Sequence, residues 1–216
     1  AAPRSNTLSP AAGLMKETAI CAGGGGGGGE ATSLLSPQAA AGRQVFFDAR
    51  LSNPPGTACV SCHDPQLGWG GNNRSRSGVA AGSTPDALGG RNSPTIGYAA
   101  FVPAFHVKRE KGEVKAIGGL FWDGRADSLE AQARGPLFAP LEMNLANESE
   151  LAQRLRDAPY AAELRAAFGL AESADDAQWA RTGYAALAAY QRSPEVSPFS
   201  SKYDAVLRGQ AKWSPQ

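Results

Sequence analysis

The sequence predicts a mostly α-helical fold of short helices joined by long irregular loops. Helix-start signals recur along the chain, and no segment alternates between apolar and polar residues as a half-buried strand would. The hydrophobic fraction is 42%, but much of it is alanine, and the 216 residues include 26 glycines and 15 prolines. So few bulky apolar side chains barely support a core by themselves. We therefore expect one domain, or at most two small ones, with something other than side chains completing the core.

The first predicted helix begins at Ser36 and Pro37 and ends near Leu51. Serine caps free backbone amides at a helix start, and proline suits the first helical position because that position needs no N–H donor. Residues 1–35 show no hydrophobic period and contain a run of glycines from Gly23 onwards. We interpret this segment as a flexible leader.

Five more helices are predicted further along the chain. The first starts with capping-box spacing at 127–130, and the next two span about 148–157 and 160–168. The other two are a helix after Ser173 and a last helical turn around 201–208. The helix after Ser173 has the clearest period, with one face formed by Trp179, Gly183, Leu187 and Tyr190. Residues 61–95, by contrast, are rich in Gly, Asn, Ser and Pro without a period, which is typical of a functional loop.

Charge and hydropathy exclude two classes of protein. The 21 basic and 20 acidic residues give a net charge of +1 without a basic run, which argues against a nucleic-acid-binding protein. No apolar stretch reaches the roughly 18 residues of a transmembrane helix. Residues 1–20 also lack the apolar core of a secretory signal, so we expect any export signal to have been removed.

Cys21, followed by the glycine run, suggests a lipid-anchored N-terminus with a flexible tether. The residues before it, Thr18, Ala19 and Ile20, match the recognition sequence for such an anchor poorly. A disordered leader or an expression remnant is the alternative interpretation.

Residues 59–63 read Cys-Val-Ser-Cys-His, which is the attachment motif of a c-type haem. Thiols at this spacing add to the two vinyl groups of one haem, and the adjacent His63 ligates the iron. A zinc site would need four ligands, and the chain offers only Cys21, His63 and His106 besides the pair. A redox dithiol would normally lie at a helix start in an α/β fold. We therefore predict a cytochrome c-like haem domain in which the haem, a large apolar plate, completes the core.

The sixth iron position decides the function of such a domain. The chain has two histidines and two methionines, and Met15 lies in the leader. His106 is predicted in a loop, where it is either a candidate sixth ligand or a surface histidine. Met143 is either an electron-transfer ligand or a core residue, and a lone methionine is more often the latter.

A larger set of segments resembles the bacterial di-haem cytochrome c peroxidase and MauG family. The matching segments are 42–48 (GRQVFFD), 59–65 (CVSCHDP), 91–95 (RNSPT), 121–126 (FWDGRA), Gln132, 135–136 (GP) and 142–144 (EMN). The similarity covers about residues 36–210 and corresponds to the N-terminal, peroxidatic haem domain of that family. It implies a haem that reacts with hydrogen peroxide and receives electrons from a second haem.

The resemblance also implies roles for single residues. Glu142 and Gln132 match the distal pocket, and Pro136 shapes it. Glu142 would take a proton from hydrogen peroxide and return it to the departing oxygen, which suits a carboxylate whose pKa is raised by desolvation. Trp122 matches an electron relay between the two haems. Asn92 matches a residue that helps bind a calcium ion near that relay, and calcium needs further oxygen ligands.

Three departures from the family pattern change these expectations. Residues 77–86 lack the displaceable distal histidine of the family's peroxidases, so the haem is expected to be open, as in the MauG-like branch, or to use His106. The interval between Asn92 and Trp122 is longer than usual. There is also one haem motif instead of two. We therefore expect a haem domain at 36–196 and a linker at 197–216 toward a missing second haem domain.

Two functions follow from these observations. The first is a haem c oxidoreductase that reduces hydrogen peroxide, or uses it for a MauG-like oxidation, with electrons from a second haem domain or subunit. Its electron donor would be a protein such as a small cytochrome or a cupredoxin. The second is a mono-haem electron-transfer cytochrome or a structural haem subunit. Because haem c is attached outside the cytoplasm, we expect a periplasmic or otherwise exported protein.

Overall fold

The 16-residue helix Asp176–Gln191 is the element against which most of the other helices pack. The computed structural model describes residues 35–72, 75 and 77–214. Within them the helices are α1 (Pro37–Phe47), α2 (Cys59–Cys62), α3 (Leu129–Phe138), α4 (Glu148–Arg156), α5 (Ala161–Phe168), α6 (Asp176–Gln191) and α7 (Lys202–Leu207). Short 3₁₀ turns lie at Ala49–Leu51, Pro65–Leu67 and Ala99–Phe101. The mostly helical fold class predicted from the sequence is confirmed.

Side-chain oxygens cap the helices where the sequence predicted starts. The Ser36 hydroxyl accepts the Ala39 N–H at 3.2 Å at the start of α1, and the Ser128 hydroxyl accepts the Ala131 N–H at 3.1 Å at the start of α3. At α6 the Asp175 carboxylate accepts the Gln178 N–H at 2.7 Å, and the Gln178 side chain accepts the Asp175 N–H in return. These caps satisfy amides that the first helical turn leaves without partners.

The packing around α6 depends on two glycines. Helices α1, α3 and α4 contact it, and α1 approaches so closely that a side chain on Gly42 would overlap the Ala186 carbonyl. At Gly183 an added side chain would meet Leu155 of α4. The buried core on these helices and α5 includes Val45, Phe46, Leu137, Leu151, Leu155, Leu164, Leu187 and Tyr190.

A two-stranded antiparallel hairpin corrects the expectation that the chain has no strand. Strand β1 (His106–Glu110) pairs with β2 (Glu113–Ile117). Lys111 and Gly112 connect them with φ values of 52° and 84°, as a tight two-residue hairpin loop requires. Nearly every residue of both strands is solvent-exposed. The usual alternation of buried and exposed residues is therefore absent, which is why these strands have no periodic signal in the sequence.

Several predicted features lie wholly or largely outside the described residues. The predicted leader is described only at its last residue, Leu35, and Met15, Cys21 and the glycine run are not among the residues described.

Helix α7 lies within 197–216, and the assignment of that segment as a linker stays a prediction. Among the described residues no helix combines the length and apolar character needed to cross a bilayer.

Candidate haem site

Helix α2 is a single turn that carries both cysteines of the attachment motif. Ser61 Oγ accepts the Ala58 N–H at 3.0 Å at one end of this turn, and the His63 N–H donates to the Cys59 carbonyl at 3.0 Å at the other. Residues three apart lie on one face of a helix, so both thiols point to the same side. Both cysteines are free, without a disulfide.

The thiols lie in a desolvated environment. Burial raises the pKa of Cys59 to about 12. For Cys62, burial and then the nearby negative charge of Glu142 raise the pKa to about 11. Both groups are therefore neutral thiols at neutral pH, and Glu142 lies close enough to interact with the second of them.

His63 is oriented by the backbone of the loop that follows it. Its Nδ1 lies 3.1 Å from the Trp69 carbonyl oxygen. A carbonyl only accepts hydrogen bonds, so Nδ1 carries the proton and Nε2 keeps its lone pair. Burial also lowers the pKa of the imidazole, which keeps the ring neutral. A neutral histidine held through its other nitrogen is the usual form of a metal-ligating histidine.

A cavity of about 650 Å³ joins this motif to most of the residues predicted for the site. Its volume lies within the range of about 300–1,000 Å³ typical of ligand pockets. The predicted residues that line it are Cys59, Cys62, His63, Asn92, Trp122, Gln132, Pro136 and Glu142. Its apolar wall includes Phe46, Leu120, Phe121, Leu137 and Leu187. Paired thiols, a neutral histidine and an apolar wall together fit a covalently bound c-type haem.

Glu142 lies in the turn after α3 and is accessible from this cavity. Although the residue as a whole is exposed, partial burial raises the pKa of its carboxyl group, and the positive charge of Arg125 opposes that shift. The carboxyl group therefore takes and releases a proton closer to neutral pH than an ordinary glutamate does.

Gln132 and Pro136 lie four residues apart on α3 and so share one face of that helix. Their immediate neighbours Ala133 and Leu137 are buried and anchor the helix. The Pro136 carbonyl accepts the Met143 N–H at 3.1 Å, which links α3 to the turn that carries Glu142.

Trp122 presents an exposed indole next to the cavity. The ring is 64% exposed, and its Nε1–H donates to the Asn92 carbonyl at 2.8 Å. Among the described residues there is no cluster of three or more His, Cys, Asp or Glu side chains that could hold a metal ion. Calcium binding at Asn92 therefore stays a prediction.

The two candidates for a sixth ligand are placed differently. His106 begins β1 instead of lying in a loop, is exposed, and is not among the residues that line the cavity; its Nδ1 lies 3.0 Å from the Ala104 carbonyl. Met143 lines the cavity but is only 4% exposed and belongs to the hydrophobic core. The structure thus brings every predicted site residue except His106 to the same cavity.

Sequence reasoning did not identify a charged cluster on the cavity wall. The Asp123 carboxylate accepts from Arg91 Nη1 at 3.1 Å and from Arg125 Nη1 at 2.7 Å. These hydrogen bonds, first that from Arg125, lower the pKa of Asp123 to about 2. The three charges occur within the RNSPT and FWDGRA segments, but nothing in the sequence showed that they meet.

The sequence model of the di-haem cytochrome c peroxidase family matches residues 36–212. The chain belongs to this family. Its members are di-haem oxidoreductases. The chain is 43% identical to the methylamine utilization protein MauG of Paracoccus denitrificans over 180 residues, which cover 82% of this chain and 46% of that protein. It is 36% identical to the cytochrome c peroxidase IdrP1 of Denitromonas iodatirespirans over 163 residues, 74% of this chain and 36% of that protein.

A solved structure agrees with these sequence relatives. The di-haem peroxidase BthA of Burkholderia thailandensis E264 superposes with a TM-score of 0.71 at 39% identity, over 82% of this chain and 43% of that one. The chain therefore spans less than half the length of the relatives it matches, and it corresponds to their N-terminal portion.

Proposed function

We propose that this chain is the peroxide-reacting haem domain of a di-haem peroxidase or MauG-like oxidase. The observation that carries the proposal is one cavity that contains the CVSCH motif together with Glu142 and Gln132. In this function Cys59 and Cys62 would hold the haem covalently, and the imidazole of His63 would be the ligand of its iron. Bound there, the haem iron supplies peroxide binding and the uptake of oxidising equivalents.

Glu142 is the proton-transferring group of the site. Its carboxylate accepts a proton from one oxygen of hydrogen peroxide and returns it to the oxygen that leaves as water. A carboxyl group with a raised pKa suits this task because it exchanges a proton closer to neutral pH than an ordinary glutamate does. Gln132 donates a hydrogen bond from its side-chain amide that orients the peroxide, and Pro136 limits the space beside it.

Electrons enter this domain through Trp122. Its exposed indole is fixed by the hydrogen bond to the Asn92 carbonyl, which supports a defined relay position at the surface. A second haem in another domain or subunit would supply these electrons, with a small cytochrome or a cupredoxin as the electron donor. Covalent haem attachment implies an exported, periplasmic protein. A calcium ion bound near Asn92 belongs to the same proposal.

The test is the optical spectrum of the haem-loaded chain before and after hydrogen peroxide or cyanide is added. We expect a haem with an open or weakly held sixth position, so that both reagents change the spectrum. A low-spin spectrum in both oxidation states that neither reagent alters would contradict the proposal. That outcome would favour an electron-transfer cytochrome with Met143 as the sixth ligand.

A further inference from the structure

The cavity has both apolar and charged walls. The two thiols line it together with Ala58 and Ala80, each less than 10% exposed. The side chains of Arg91, Asp123 and Arg125 line the same cavity and are between 41% and 57% exposed. A ligand that fills this cavity therefore contacts apolar side chains and these solvated, charged side chains.

The charged wall is held in place by its own contacts. Asp123 is bound by both arginines, with Nη1 of Arg125 at 2.7 and 2.9 Å from its two oxygens and Nη1 of Arg91 at 3.1 Å. The Arg125 guanidinium carbon also lies over the Phe121 ring, 3.6 Å from its centroid. Two cations and one anion leave the cluster with one net positive charge.

Both arginines have hydrogen-bonding capacity beyond Asp123. A guanidinium group has five N–H donors, and among the described residues the side-chain bonds of Arg91 and Arg125 use only Nη1 of each. Of the described residues that line the cavity, the other charged side chain is Glu142, whose carboxyl group Arg125 affects electrostatically. The remaining donors are thus available to a carboxylate within the cavity, where a guanidinium fork gives a strong, oriented bond.

Haem has the matching polarity, with vinyl groups on one edge and two propionate carboxylates on the opposite edge. We propose that Arg91 and Arg125 bind the propionate carboxylates of the haem, with Asp123 as the positioning residue that holds both guanidinium groups. The assignment rests on the proposed function only in requiring that the thiols carry a haem. An isolated surface ion pair contributes little to stability, whereas this cluster combines two guanidinium groups and one net positive charge at the wall of the cavity.

Resonance Raman spectroscopy of the haem-loaded chain tests this directly, because the propionate bending bands report hydrogen bonding to those carboxylates. We expect Arg91→Gln and Arg125→Gln each to shift a propionate band and to leave the bands of the iron–histidine bond and the macrocycle in place. Arg134→Gln is the matched control. Arg134 also binds a carboxylate, that of Glu148 at 3.0 Å, and lies over an aromatic ring, but it does not line the cavity.

The lysine variants Arg91→Lys and Arg125→Lys keep the charge but lose the fork, and we expect them to shift the same bands by a smaller amount. If the glutamine variants fail to accumulate, the propionate bands of the lysine variants decide the outcome. Unshifted propionate bands in haem-loaded variants would overturn the assignment and leave the proposed function intact. Shifted bands on a haem that is inert to peroxide would uphold the assignment and contradict the proposed function. A chain without haem would contradict both.

Discussion

The helices packed on α6 and the loops of residues 61–125 are stabilised in different ways. In the helical region the large side chains of Leu151, Leu155 and Leu164 are no more than 1% exposed. In the loop region large apolar side chains such as Leu67, Phe101 and Trp122 are more than half exposed. The loops are connected by isolated bridges, hydrogen bonds and ion pairs instead of a packed core.

This difference separates stability from chemistry. The helical region buries its own core and presents one face of α3 to the cavity. The loop region supplies Cys62, His63 and the charged wall, and its composition leaves it short of apolar side chains that could bury each other. In the proposed function, a covalent haem between the two regions completes this thin core. Substitutions should therefore affect folding where they remove a buried side chain and peroxide chemistry where they change a side chain that faces the cavity.

The largest expected effect is on chemistry alone. Glu142→Gln removes the proton acceptor, and general acid–base groups contribute roughly 100- to 10,000-fold to rate. We expect the rate of reaction with hydrogen peroxide, measured by stopped-flow absorbance, to decrease by a factor within that range. Haem attachment should be unchanged. Glu163→Gln, at an exposed position of α5, is the control. Equal rates for the Glu142 variant and the wild type would remove this residue from the mechanism.

The same substitution in the two regions should affect folding very differently. Leu155 is fully buried and Leu67 is 57% exposed. We expect Leu155→Ala to lower the free energy of unfolding by about 2–5 kcal/mol and Leu67→Ala by about 0.5 kcal/mol or less. Denaturant titration of the haem-loaded variants measures both values. Similar losses at the two positions would show that the loop region is packed as tightly as the helices.

A buried carboxylate supports the helical region electrostatically. Burial alone would raise the pKa of Asp48, but hydrogen bonds from Arg50 and Tyr160 outweigh it and lower the pKa. Its stabilising effect is thus fully present above the ordinary aspartate pKa of 3.8 and is lost as the pH falls through the lowered value. We expect Asp48→Asn to cost about 2 kcal/mol at neutral pH.

Urea titrations at neutral and acidic pH measure this cost, which should shrink toward the acidic end. The exposed Asp86 of the loop region provides the control variant Asp86→Asn, for which we expect no change. A cost for Asp48→Asn that stayed constant down to the acidic limit would show that packing, and not charge, is responsible.

The smallest expected effect is a shift of a pH profile. The positive charge of Arg125 lowers the pKa of Glu142, whereas burial raises it. Arg125→Gln removes the lowering influence, so the pKa of Glu142 should rise further. Because the deprotonated carboxylate accepts the proton, the rate of peroxide reaction should then increase with pH at a higher pH than in the wild type. If the pH profile of Arg125→Gln matched that of Arg134→Gln, the charge of Arg125 would have no influence on the pKa of Glu142.

The sequence predicted those parts of the molecule that depend on neighbouring residues. Helix starts at Ser36 and Ser128 are local, because a side chain caps an amide three residues away. The CVSCH motif is also local, because its cysteines and histidine lie within residues 59–63. Glu142, Gln132 and Trp122 were predicted only through family resemblance, since no local pattern indicates that they share a cavity.

The features that sequence reasoning missed depend on distant or backbone contacts. Arg91 and Asp123 are 32 residues apart, and their contact follows from the loop path. The group that orients His63 is the carbonyl of Trp69, a backbone atom without a residue-specific signal. The hairpin was missed because its exposed strands have no buried face. His106 then lies on that hairpin and not at the cavity, as its sequence position alone could not show.

Covalent haem attachment is tested most directly by mass spectrometry of the chain and its proteolytic peptides, after expression with export to a compartment that contains the haem-attachment machinery. We predict an intact mass increased by one haem, with that haem on the peptide that contains Cys59 and Cys62. The added mass should disappear when both cysteines are replaced by alanine. An intact chain without added mass, or a haem retained by the double variant, would contradict it.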